Sequence, residues 1–137
     1  MTVIADTGVL VALIDQDTQD HDWVRRQIET LPVPFLTSEP VLTEAAFLLS
    51  RDGFDADELF ALAESGTLTV GLEFNRERQR LRELLRTYRN VPMSPADATL
   101  IRLSELHRDC RVFTLDDDFR IYRRHGNKVI PVLMQEE

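Results

Sequence analysis

The stretch TVIADTGVLVALI, residues 2–14, changes its periodicity half-way along. Thr2 to Ala5 is a short apolar run rich in β-branched residues, which suits a buried strand, and TGVLVALI reads as a helix. Asp6 stands at the junction. An acid there has two readings. It can cap the helix that starts at Thr7, or it can mark the carboxyl end of a strand, where open parallel α/β sheets bind their ligands.

Strand and helix patterns go on alternating down the chain, without an internal repeat. PFLT (34–37) is a second strand. The helix EPVLTEAAFLLSR after it places Val41, Ala45, Leu48 and Leu49 at i, i+4, i+7 and i+8. Gly53 ends that helix, and DADELFALAES is another, stopped by Gly66. LTVGLE (68–73) is a third strand, followed by a long Arg-rich helix and then by a helix over 94–108. RVFTL (111–115) is a fourth strand, DDFRIYRR a short helix, and KVIPVL (128–133) a fifth strand, with Gly126 supplying the turn before it. Pro131 suits an edge position, since it cannot donate to a ladder. A further helix covers DHDWVRRQIETL (20–31). Strands alternating with helices predict one α/β domain over residues 1–137, with a mainly parallel sheet.

Composition narrows the class. The 43% apolar and 29% charged content is that of a globular chain, and no apolar run approaches the roughly 20 residues of a membrane span. MTVIADTG lacks the basic region and long apolar stretch of a signal peptide, so the expected location is cytoplasmic, with no membrane partner. Cys110 is alone, which excludes an intrachain disulfide and a cysteine metal site and reads as a core residue. A net charge of −8 argues against broad nucleic-acid binding. The positive charge is nevertheless clustered. Arg76, Arg78, Arg80, Arg82, Arg86 and Arg89 share one segment, and Arg120, Arg123, Arg124 and Lys128 another.

Four acids stand out against this background. Asp6 ends the first strand and Asp116 the fourth, and each could equally cap the helix that follows it. In PMSPADATLIRLSEL (92–106), Ser94 fits an N-cap, Pro95 the first helical position and Asp97 the N3 acid of a capping box. Asp97 also shares a face with Leu100 and Ile101, the face expected to turn inward. Glu44 falls beyond the capping positions of its helix and shares a surface with Phe47 and Leu48. Burying it unpaired would be expensive. All four belong on the same rim of the predicted sheet.

Carboxylates gathered there repel one another, by about 1 kcal/mol per pair in water and roughly 4 at an effective dielectric of 20. A hard cation relieves that, and an oxygen donor set without His or Cys suits Mg²⁺ or Mn²⁺. Thr7 and Thr114 supply hydroxyls to orient the carboxylates. His21, His107 and His125 fall in separate elements and make no metal set. DQDTQDHD (15–22) lacks the Gly and Glu of a calcium loop and reads as a polar connection.

Taken in order, ADTG, VLTEAAFLL, SPADATLIRLSE and VFTLDDDF resemble the motif set of PIN-domain proteins, in particular the VapC-type ribonuclease toxins. The resemblance covers essentially the whole chain. It implies a three-layer α/β/α fold with a five-stranded sheet of order 3-2-1-4-5. It implies metal-dependent cleavage of RNA at a site made by Asp6, Glu44, Asp97 and Asp116, with Mg²⁺ or Mn²⁺ as cofactor. Thr114 matches the family's hydroxyl position before the last acid, Thr7 stands where the family often has Ser, and Asp118 fits an outer, helix-start acid beside Asp116, with Asp117 between them. Members commonly form homodimers and are neutralised by an antitoxin. Arg120, Arg123 and Arg124 follow the fourth acid directly and are the first candidates for RNA phosphate contacts, ahead of the Arg-rich helix, where Glu77 and Glu83 interleave.

Two similar architectures fit poorly. A phosphoacceptor receiver domain wants an acidic pair after strand one and a Lys after the last strand, whereas Lys128 precedes it. A haloacid-dehalogenase phosphatase wants an Asp two residues after the first, where Gly8 stands. A catalytically silent PIN-like binding module, and a stand-alone nuclease without an antitoxin, are the remaining alternatives.

Overall fold

Residues 1–136 are described by a computed structural model. Thr2–Ala5 forms β1, and Val3, Ile4 and Ala5 are all buried, so both faces of this strand are covered, as in a central strand of a parallel sheet. β1 is flanked by β2 (Phe35–Thr37) and β4 (Cys110–Phe113), in the register Ile4–Leu36 and Ala5–Phe113. Beyond them lie β3 (Leu68–Val70) and β7 (Val132–Leu133), giving a sheet of order β3-β2-β1-β4-β7 in which every pairing is parallel. The chain steps outward from β1 to β3 and then crosses to β4 on the opposite side. The order therefore reverses between β1 and β4, the place where such sheets open a binding crevice.

The helices are α1 (Thr7–Ile14), α2 (His21–Ile28), α3 (Glu39–Arg51), α4 (Asp57–Glu64), α5 (Phe74–Thr87) and α6 (Pro95–Leu106). They complete a three-layer α/β/α fold. α6 is the most deeply set, with Ala96, Ala98, Thr99, Leu100, Ile101, Leu103 and Ser104 buried. Ser38, the N-cap of α3, hydrogen-bonds Thr99 through its hydroxyl at 2.6 Å, which pins the starts of α3 and α6 together. Gly53 and Gly66 follow the ends of α3 and α4 at φ 86° and 87°, where a Cβ would be strained.

Two expected elements differ. DDFRIYRR is not one helix: a 3-10 turn covers Asp117–Arg120, and Arg123–Arg124 (β5) pairs antiparallel with Lys128–Val129 (β6). The cause is Tyr122, which is fully buried edge-on against Tyr88 (5.1 Å) and Phe119 (5.2 Å). The next amide, Arg123 N, donates to the Tyr88 hydroxyl at 2.8 Å instead of continuing the helix. KVIPVL likewise divides into β6 and the edge strand β7. Pro131 between them offers only its carbonyl, which accepts from Val112 N at 2.8 Å. No helix among the described residues is long and apolar enough to cross a membrane.

Candidate active site

Asp6 leaves β1 at the reversal point and is only 6% exposed. Its Oδ1 accepts from the Thr7 amide at 2.6 Å, which caps α1, and its Oδ2 accepts from the Thr114 hydroxyl at 2.6 Å. Thr114 Oγ1 in turn accepts from Asp116 N at 3.0 Å, so the residues after β1 and β4 are fixed to each other through one hydroxyl. Burial drives the Asp6 carboxyl upward. The bonds from Thr114 and Thr7 pull it down, Asp97 and Asp116 push it further up, and it settles at about 6.

Asp97 also serves as cap and cleft wall together. Ser94 and Asp97 form the capping box: Asp97 N donates to Ser94 Oγ at 3.0 Å and Ser94 N to Asp97 Oδ2 at 3.5 Å. The same Oδ2 accepts from the hydroxyl of buried Tyr122 at 3.1 Å. Burial raises the Asp97 carboxyl against these bonds, and Asp116 adds to the rise. Asp116 caps the 3-10 turn through Asp118 N at 2.9 Å.

Glu44 corrects one expectation: it is exposed, not buried among apolar neighbours, because this part of α3 lines an open cleft. Its carboxyl is nevertheless raised, by partial desolvation first and then by Asp97 and Asp116. Arg51 is occupied by Asp52 at 3.1 Å.

Asp6, Glu44, Asp97 and Asp116 thus line one cleft of about 540 Å³, together with Thr7 and Asp117. None of the four is ion-paired among the described residues. Also among the described residues, no three acidic, His or Cys groups close into a tight metal-binding cluster; the acids face a shared space. The Thr7 hydroxyl is buried without a hydrogen-bond partner among the described residues, and Thr7 meets Asp6 through its amide rather than its hydroxyl. Asp118 does not line the cleft; its charge acts on Tyr122. The side-chain donors in the cleft are carboxylate and hydroxyl oxygens, set beside Leu48 and Leu115, and with the orphaned Thr7 hydroxyl they fit a hydrated hard cation.

A second, mostly apolar cleft of about 650 Å³ adjoins this one, sharing Glu44, with Phe47 and Phe74 in its walls. Phe47 is 66% exposed on the wall of this cleft, whereas Phe35 is buried in the core.

The basic residues are distributed differently from expectation. Arg124 is half-buried and donates to the Ser104 carbonyl at 2.8 Å and to Cys110 Sγ at 3.4 Å, and Arg123 donates to the carbonyls of Arg120, Ile121 and Tyr122. Arg120 pairs with Asp117 at 3.6 Å. That cluster braces the 3-10 turn and ties β5 to α6 and β4. Glu105 is a second structural centre, accepting from Arg80 at 2.9 and 2.8 Å, Arg102 at 3.2 Å and His125 N at 2.7 Å. Burial would raise its carboxyl, but Arg80, the His125 amide and Arg102 lower it to about 2.

Residues 3–124 match the PIN domain family model. This chain belongs to the PIN-domain family. The PIN fold here is also similar to the crystal structure of Mycobacterium tuberculosis VapC20, described as a sarcin-ricin loop cleaving toxin. That match has a TM-score of 0.76 and 23% identity, and covers 85% of this chain and 92% of VapC20. No curated protein matches this PIN-domain chain. Tyr122, which bonds an acid of the PIN cleft, carried no signal in the sequence beyond being an aromatic between basic residues.

Proposed function

We propose that this PIN-domain protein is a ribonuclease dependent on Mg²⁺ or Mn²⁺, acting as the toxin of a type II toxin–antitoxin pair. The observation that carries this reading is the cleft itself: four carboxylates from four separate segments face one space, and no cationic side chain among the described residues neutralises them. Asp6, Asp97 and Asp116 are assigned as the principal metal ligands, and Glu44, on the open side, as the fourth. Bound there, the ion supplies an activated water and offsets charge on the scissile phosphate. Thr114 holds Asp6 and the Asp116 backbone in register, and Tyr122 and Ser94 fix the rotamer of Asp97. No side-chain nucleophile is required. The toxin role draws on the likeness to VapC20 and brings with it an antitoxin partner and a homodimer.

The test is RNA degradation by the purified chain. Cleavage that stops with EDTA, returns with Mn²⁺ and is lost in Asp97→Asn supports the proposal; EDTA-resistant cleavage, or an active Asp97→Asn protein, rejects it. A small neighbouring reading frame whose product inhibits cleavage identifies the toxin role.

A further inference from the structure

α5 carries arginines on two sides, and only one side is neutralised. Glu77 is buried and holds Arg102 at 2.6 Å, and Glu83 holds Arg80 at 3.2 Å, with Arg80 also gripped by Glu105. Both acids of the helix body are therefore turned away from Arg78, Arg82, Arg86 and Arg89. Those four are exposed, and none is ion-paired among the described residues. Arg78, Arg82 and Arg86, four residues apart, share one face of α5 as a strip about 12 Å long, and Arg89 follows in the turn just past the helix end. Neighbouring Cβ atoms on such a strip lie about 5–6 Å apart, the scale of the step from one phosphate to the next along a nucleic-acid strand.

The strip is joined to the acidic cleft by shared walls. Glu44 lines both the acidic and the apolar cleft. Phe74, at the start of α5 and 61% exposed, lines both the apolar cleft and a groove with Arg78 and Arg82. Arg82, Arg86 and Arg89 line the next depression along the helix. On a chain of net charge −8 this is a localised positive track, separated from the acidic cleft by the apolar cleft and reached past Phe74. In the Arg120–Arg124 cluster, by contrast, Arg120 and Arg123 bond within the 3-10 turn and Arg124 is held by Ser104 and Cys110.

We infer that a single RNA strand leaving the acidic cleft passes Phe74 and runs along α5, its phosphates against Arg78, Arg82, Arg86 and Arg89. This rests on the ribonuclease reading above. The exposed Phe74 ring offers a base a stacking surface, and the arginines contact backbone without reading sequence.

The experiment measures binding of a fluorescein-labelled oligouridine by the 137-residue chain carrying Asp6→Asn, so that the probe is not consumed. The triple change Arg82→Gln, Arg86→Gln, Arg89→Gln is expected to lower the slope of log affinity against log salt by about 2, from roughly 0.7 per phosphate contact on a single strand. The matching Lys variant keeps the slope, and Arg120→Gln with Arg123→Gln leaves it unchanged. An unchanged slope in the triple Gln variant, with circular dichroism showing an intact fold, overturns the inference. So does a triple variant that keeps oligouridine but releases polyglutamate bound by its parent, which reassigns the strip to an acidic protein segment. Cleavage by the wild-type chain is read separately: a lowered slope without metal-dependent cleavage upholds the track and rejects the ribonuclease, and cleavage with an unchanged slope does the reverse.

Discussion

Replacing Asp6 with Asn isolates the electrostatic cost of the acidic cleft. The carboxyl titrates at about 6 in the folded chain against a reference of 3.8, a difference of roughly 2 units. At about 1.4 kcal/mol per unit, ionised Asp6 costs at most about 3 kcal/mol of folding free energy. The sign follows from proton counts. Below about pH 4 both states hold the proton and nothing is lost. Between pH 4 and 6 the native state keeps a proton that the unfolded state releases, so stability falls as pH rises. Above 6 the full cost is present. Asn has nearly the same shape, still accepts from the Thr7 amide, and can donate to Thr114 if that hydroxyl turns. It gives up the charge-assisted character of two short bonds, about 1 kcal/mol in all. The net expectation is a gain of about 1–2 kcal/mol at pH 7.5, or roughly 5 °C in Tm, that disappears at pH 4. Urea unfolding followed by circular dichroism in EDTA at both pH values measures it. A variant as destabilised at pH 7.5 as at pH 4 would refute the reasoning, since burial and carboxylate repulsion would then not be what Asp6 experiences.

Glu105→Gln is expected to destabilise the chain by about 2 kcal/mol at neutral pH, a figure discounted for the partial solvent contact of its arginines. Because the Glu105 carboxyl is lowered to about 2, its contribution is present above 4.5 and lost as pH falls toward 2; stability curves of the two proteins should therefore converge in acid. Tyr122→Phe keeps the aromatic packing and removes one donor to Asp97, so Tm should move little while Mn²⁺ affinity by calorimetry falls about tenfold; unchanged affinity assigns that hydroxyl to packing alone. Leu49→Ala, at a fully buried position of α3, should cost about 2–5 kcal/mol by urea unfolding and leave Mn²⁺ affinity unchanged.

Much of this was legible because local chemistry and fold agree. The run at Thr2–Ala5, the glycines after α3 and α4 and the Ser94–Pro95–Asp97 start of α6 each declare their conformation within a few residues, and all formed as read. The four acids could be placed on one rim because strand ends and helix starts fix it. What failed depends on partners distant in sequence. Tyr122 turns inward because Tyr88 and Phe119 make a pocket for it, and that ends a helix whose local pattern would continue. Arg124 looks like a phosphate ligand until Ser104 and Cys110 are seen to hold it. Glu44 was expected inside because its helix neighbours are apolar, but those neighbours line a cleft rather than a core. The α5 arginines looked neutralised by Glu77 and Glu83 until α6 was seen to claim Glu77, and Arg80 to claim Glu83.

A crystal soaked in Mn²⁺ and measured at its anomalous edge puts the proposed metal site to the sharpest test. Density in contact with Asp6, Asp97 and Asp116 is the expected result, with Glu44 drawn in from the open side. A cleft without anomalous density, at a Mn²⁺ concentration that sustains RNA cleavage, would contradict it.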